Sequence, residues 1–152
     1  MMVYRLSRKQ YSNDLSGKGA EISGGRWNNK GVFALYTASS RALAVLEVAV
    51  HVPYGIMPID YWMITIEIPE EHILRLSIAD LPKNWNQNPT IPATRDFGDR
   101  LLNKNEYLSL QMPSASVAGD YNYIVNPLHP EFSRVKILFT EPFEFDSRLF
   151  KS

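Results

Sequence analysis

The chain has 152 residues, 45% of them hydrophobic and 21% charged, a composition that excludes a disordered protein and provides material for a real core. Sixteen basic residues balance sixteen acidic ones, so no overall field draws the chain to nucleic acid or to an anionic membrane. The absence of cysteine excludes disulfides, thiolate metal sites and a cysteine nucleophile, and it fits a reducing cytoplasm.

In chain order, Val3 to Leu6 reads as an opening strand, and Ser12 to Gly19 as a polar, glycine-bearing loop. Val32 to Thr37 is the next strand. Ser39 and Ser40 then supply hydroxyls suited to an N-cap for a helix over Arg41 to Val50. Tyr61 to Ile68 alternates, with Trp62, Ile64, Ile66 and Ile68 on one side and Tyr61, Met63, Thr65 and Glu67 on the other. Pro69 ends it. Ile73 to Leu76 is a short strand, Asp80 to Pro92 a loop carrying Trp85, and Thr94 to Asn103 a second helix with Phe97, Leu101 and Leu102 on its apolar side. Leu108 to Met112, Tyr123 to Val125, Val135 to Thr140 and Phe143 to Phe145 complete a set of short strands punctuated by proline. No repeat, low-complexity tract or linker divides the chain. The expectation is one α+β domain over residues 1–152, built on twisted antiparallel sheet with few helices.

Met1 to Gln10 lacks the apolar run of a signal peptide. The longest apolar stretch, Ala42 to Val52, is interrupted by Glu47 and falls well short of the roughly 20 residues that span a bilayer. A cytoplasmic protein that does not enter the membrane is expected. Oligomeric state stays open, a homo-oligomer included.

The chemistry concentrates in Gly24-Gly25-Arg26-Trp27-Asn28-Asn29-Lys30-Gly31, Leu35-Tyr36-Thr37 and Leu46-Glu47. Arg26 follows glycine backbone that lets it approach a phosphate closely, and its planar fork suits two phosphate oxygens. Tyr36 offers a flat face to a planar ring. Glu47 lies one helical turn after Leu43, on the apolar side of its helix with Leu46 and Val50, where a carboxylate needs a partner. Trp27 reads as an anchor for the arginine loop. The pattern points to an anionic, ring-bearing ligand with a carboxylate placed to meet positive charge. It matches neither a Walker loop nor a dinucleotide G-x-G-x-x-G fingerprint. Ser114 has no G-x-S-x-G elbow around it. His51, His72 and His129 are isolated from one another in sequence, without metal-ligand spacing.

Together with Tyr4-Arg5-Leu6, Ala44-Val45-Leu46-Glu47, Pro113-Ser114-Ala115, Asn122-Tyr123-Ile124-Val125-Asn126-Pro127 and Phe145-Asp146-Ser147-Arg148-Leu149, these motifs resemble the RES domain over about residues 3 to 149. The resemblance implies a fold similar to ADP-ribosyltransferases and a toxin of a bacterial toxin–antitoxin pair. Its implied chemistry is consumption of NAD as substrate with no cofactor required, and its implied partner is an Xre-type helix-turn-helix antitoxin that carries any DNA binding. The family's arginine, glutamate and serine match Arg26, Glu47 and Ser114; Ser116 offers a second serine, and the preceding proline favours Ser114. In this reading Glu47 stabilises the sugar cation formed when the nicotinamide–ribose bond breaks. Arg26 holds the diphosphate or adjacent ribose, Tyr36 stacks on nicotinamide, Ser114 orients Glu47 or the ligand, and Asn126 adds a polar contact. The acceptor (water, phosphate or a protein side chain) is not encoded in any short motif, and a non-catalytic module that merely binds a nucleotide in the same pocket stays open as the alternative to an enzyme.

Overall fold

The computed structural model describes residues 1–151. Its strands are β1 (Met2–Arg8), β2 (Leu35–Ala38), β3 (Tyr61–Glu67), β4 (Ile73–Arg75), β5 (Ser109–Pro113), β6 (Tyr121–Val125) and β7 (Lys136–Phe143). Its α-helices are α1 (Lys18–Ser23), α2 (Arg41–Ala49) and α3 (Pro92–Asn103). All seven strands form one sheet in the order β4-β5-β6-β2-β1-β3-β7. The α+β class is as expected. Where antiparallel sheet alone was expected, β4 pairs with β5 in parallel, because the long connection through α3 returns the chain in the same direction.

Both faces of the sheet are covered. On β3, Ile64 and Ile66 join Val3, Leu35, Tyr123 and Val125 on one face, while Met63 packs on the other with Leu6, Ala38, Leu43, Ala44 and Phe145. The alternation read from the sequence therefore holds, but it separates two buried layers rather than a wet face from a dry one. A third cluster, with Trp27, Leu110, Met112 and Ile124, lies beside the Met63 cluster. Ile124 lies between Tyr123 and Val125, so its side chain projects from the face opposite theirs. The second face thus carries two separate clusters, one under α2 and one under α3 and Trp27.

Local chemistry explains most boundaries. The Ser40 hydroxyl accepts the Leu43 N–H at 3.1 Å and caps α2. Pro92 opens α3 at a position where its missing N–H costs nothing. The buried stripe of α3 is Thr94, Gly98 and Leu102, at helical spacing, with Phe97 and Leu101 flanking it. Strand β2 begins at Leu35 rather than Val32, and α1 begins at Lys18, inside the expected loop Ser12 to Gly19. The two strands expected over Val135 to Phe145 are one edge strand, β7, which tolerates Pro142 because it pairs only with β3.

Candidate active site

A cleft of about 1350 Å³ opens where the two clusters of the second face part. That exceeds the ~300–1,000 Å³ of a usual small-molecule pocket and suits an extended ligand. Its floor is β2 and β6, with Tyr36 and Ile124 side by side in register. One wall is α2, carrying Glu47; the other is the Gly24–Lys30 loop, carrying Arg26.

The loop is locked from below and behind. Trp27 is buried and stacks on Trp85, ring centroids 6.4 Å apart, with Phe97 at 6.1 Å. A side chain on Gly98 would overlap the Trp27 carbonyl, so α3 approaches the loop only because that position is glycine. A side chain on Gly25 would meet the Tyr36 hydroxyl at 2.7 Å. That hydroxyl accepts the Trp27 N–H at 2.9 Å and donates to the Asn28 side-chain oxygen at 2.7 Å. Burial, with the field of Asp99 as a lesser cause, pushes the Tyr36 phenol far above its ordinary range. Its ring lines the cleft while its hydroxyl is a structural fastener.

Arg26 lies at the cleft with its fork already engaged. Nη1 donates to the carbonyls of Trp85 and Gln87, both at 2.9 Å, and Nη2 to the Asn88 side-chain oxygen at 2.6 Å. Burial pulls its pKa below the ordinary value, opposed first by Glu47 and then by Tyr36. Glu47 is partly buried, and the Ser114 hydroxyl donates to its Oε1 at 3.3 Å. Ser114 sits just beyond β5, itself buried, and its Oγ accepts the N–H groups of Ser116 and Val117, both at 3.1 Å. Ser114, not Ser116, is the serine in contact with the carboxylate. Val50 is more than half exposed, so the helix face expected through Val50 is buried only at Leu43 and Ala44.

Arg26, Tyr36, Glu47 and Ser114 therefore converge. Asn126 does not. It is buried at the far end of α3, where Nδ2 donates to Leu102 O and Asn105 Oδ1 and its own Oδ1 accepts from Leu128 N–H. Its donors and acceptor are used in closing the helix end, which corrects the ligand contact expected of it. His72 and His129, isolated in sequence, lie with ring centroids 5.6 Å apart, yet no group of three metal-ligating side chains forms among the described residues.

Four contributors had no role assigned to them from the sequence: Asn28, Asp99, Lys30 and Arg95. Asn28 is wholly buried, and its amide donates to the carbonyls of Ala20, Asn29 and Val32. Asp99 binds the backbone and side chain of Asn29, fastening the loop to α3. Lys30 and Arg95 line the cleft with Arg26, whereas the Arg5 side chain projects from the opposite face of the sheet and is bound to the Tyr11 and Asp14 carbonyls. Glu47 is the one carboxylate among the cleft-lining residues. The cleft of a neutral chain is thus locally cationic, which is what an anionic ligand requires.

A family model for the RES domain matches residues 2–146. The chain belongs to the RES-domain family. Among RES relatives, it is 38% identical to Toxin Res of Photorhabdus laumondii, over 100% of this chain and 99% of that protein. It is 35% identical to the protein named Prs ADP-ribosylating toxin of Sphingobium sp., over 95% of this chain and 92% of that one. The RES fold seen here also matches a chain from the crystal structure of the M. tuberculosis MbcT–MbcA toxin–antitoxin complex. That match has a TM-score of 0.76 and 18% identity, covering 94% of this chain and 84% of the other.

Proposed function

We propose that this chain is the toxin of a bacterial toxin–antitoxin pair and that it acts by breaking the nicotinamide–ribose bond of NAD. The observation that carries the reading is the lone cleft carboxylate: Glu47, held by Ser114 in the cleft that Arg26 and Tyr36 also line.

In the step proposed, the bond between ribose C1′ and the ring nitrogen breaks, and its electron pair neutralises the nicotinamide ring. The sugar is left as an oxocarbenium-like cation, which water or phosphate captures. Glu47 places negative charge where that cation develops and supplies it without reorganisation. Ser114 keeps the carboxylate aimed. Tyr36 packs its ring against nicotinamide, and Arg26, with the other cleft cations, attracts the diphosphate. NAD is substrate, and no further cofactor enters the scheme.

A second reading transfers the same ADP-ribosyl cation to a protein side chain. The name of the Sphingobium relative, an ADP-ribosylating toxin, favours it. Both readings share the bond broken and differ in the acceptor.

Consumption of NAD harms its own cell, so restraint by a partner is part of the proposal: an Xre-type antitoxin that covers the cleft in the cytoplasm. Beside the cleft mouth the segment after α2 exposes Val50, Tyr54, Ile56, Met57 and Ile59, an apolar run that suits burial under another protein. No α-helix among the described residues is long and apolar enough to cross a membrane. The test is induction of the chain in bacteria, alone, with its neighbouring gene, and as Glu47→Gln. Growth arrest with falling NAD is expected only for the unaccompanied wild-type chain. Unimpaired growth and steady NAD with soluble wild-type protein would refute the toxin reading.

A further inference from the structure

Two arginines on different elements grip one stretch of chain. Arg26 holds the carbonyls of Trp85 and Gln87 and the side chain of Asn88. Arg95, in the first turns of α3, donates through Nη1 to the Thr90 carbonyl at 3.2 Å and to the Thr90 hydroxyl at 2.8 Å. Between them, Asn88, Pro89 and Thr90 are fixed as a wall of the cleft, and Arg95 lines the cleft beside them.

The bonding of Arg95 is incomplete. A guanidinium carries five N–H donors on three nitrogens. Both bonds to Thr90 use Nη1, and among the described residues Nε and Nη2 have no protein acceptor. No carboxylate lies within ion-pair distance of Arg95, Arg26 or Lys30 among those residues. A half-buried arginine, oriented by a neighbour and left unneutralised inside a cationic cleft, is prepared for an anion that the chain does not supply.

We propose that Arg95, oriented by Thr90, is a second anion-binding point of the cleft and takes a phosphate group apart from Arg26. The inference rests on reading the cleft as a nucleotide site. Because the fork of Arg26 is spent largely on the Trp85–Asn88 segment, Arg95 carries much of the grip on the ligand's charge. The phosphate belongs either to the diphosphate bridge of a dinucleotide or to free inorganic phosphate serving as acceptor.

Calorimetric titration of the purified chain with ADP-ribose, adenosine and inorganic phosphate tests this, comparing wild type with Arg95→Ala, Arg95→Lys and Thr90→Val. Arg95→Ala is expected to weaken a phosphate-bearing ligand by about tenfold or more, equivalent to about 1.4 kcal/mol, while adenosine binds as before. Arg95→Lys restores part of the loss, and Thr90→Val, which keeps the charge and loses the hydroxyl anchor, weakens the same ligand less. Loss confined to ADP-ribose identifies the bridging phosphate; loss confined to inorganic phosphate, bound alongside ADP-ribose, identifies the acceptor. Unchanged affinity for both in Arg95→Ala, or an equal loss for adenosine, would overturn the proposal. A wild-type chain that binds neither would overturn it together with the nucleotide reading. Binding that depends on Arg95 without NAD turnover would leave it standing and refute the enzyme reading alone.

Discussion

The Ser114 hydroxyl donates to the Glu47 carboxylate at 3.3 Å, joining the end of β5 to the last turn of α2 across 67 positions of sequence. The same oxygen accepts two backbone N–H groups, so the serine is fixed by the turn that follows it and fixes the carboxylate in turn. Ser114→Ala removes both functions. NAD consumption is expected to fall on the order of tenfold to a hundredfold through misplacement of Glu47. Stability should drop by about 1 kcal/mol, as two N–H groups lose their acceptor. Steady-state kinetics and urea unfolding of the same preparation measure the two effects, and full activity with only the stability loss would make Ser114 purely structural.

Gly98 is where α3 touches the arginine loop. Gly98→Ala forces a methyl group into the Trp27 carbonyl and should cost about 1–3 kcal/mol as an overpacked contact, with loss of activity as the loop is displaced. Gly19, in α1, has open space around it, so Gly19→Ala should be neutral or stabilising by up to about 1 kcal/mol. Thermal melts of the pair check the contrast; equal behaviour would mean that α3 does not seat against Trp27.

Burial raises the Tyr36 pKa, so the folded state favours the neutral phenol. The group's contribution is therefore fully present below the unfolded tyrosine value, about 10. Above it the unfolded chain releases its proton first, and stability falls as pH rises toward the higher folded value. Tyr36→Phe should be less stable than wild type near neutral pH, where it lacks two hydrogen bonds. The gap should narrow between about pH 10 and 11.5, read by urea unfolding. A gap that stays constant or widens would contradict the assigned burial.

Thr65 lies in the middle of β3 with its hydroxyl buried and without a partner. Thr65→Val keeps the shape and removes an unsatisfied polar group, so a gain of about 1 kcal/mol in unfolding free energy is expected. A loss of similar size would show that the hydroxyl is satisfied in solution.

What the sequence revealed was local. The Ser40 cap, the alternation of β3 and the glycines before Arg26 are written in neighbouring residues, and so was the clustering of Arg26, Tyr36 and Glu47. Helix α1 left no such trace, because it has no side-chain cap, contains Gly19 and buries no residue. The parallel pairing of β4 with β5 depends on how α3 returns the chain, which no short pattern records. Asn126 was expected to add a polar contact to the ligand, but the end of α3 consumes its bonds. Arg95 drew no notice because its place on the cleft follows from the seating of α3 on Trp27.

The central claim is that Glu47 supplies the negative charge that makes bond breaking possible. Glu47→Gln keeps the shape of the side chain and a partner for Ser114 while removing that charge. Purified wild-type and Glu47→Gln chains, each confirmed as folded, would be incubated with NAD with and without phosphate, and free nicotinamide and the sugar product followed by mass spectrometry. The account predicts nicotinamide release by wild type and a rate lower by on the order of a hundredfold or more in the variant, with its affinity for NAD retained. Release at the wild-type rate by folded Glu47→Gln would contradict it.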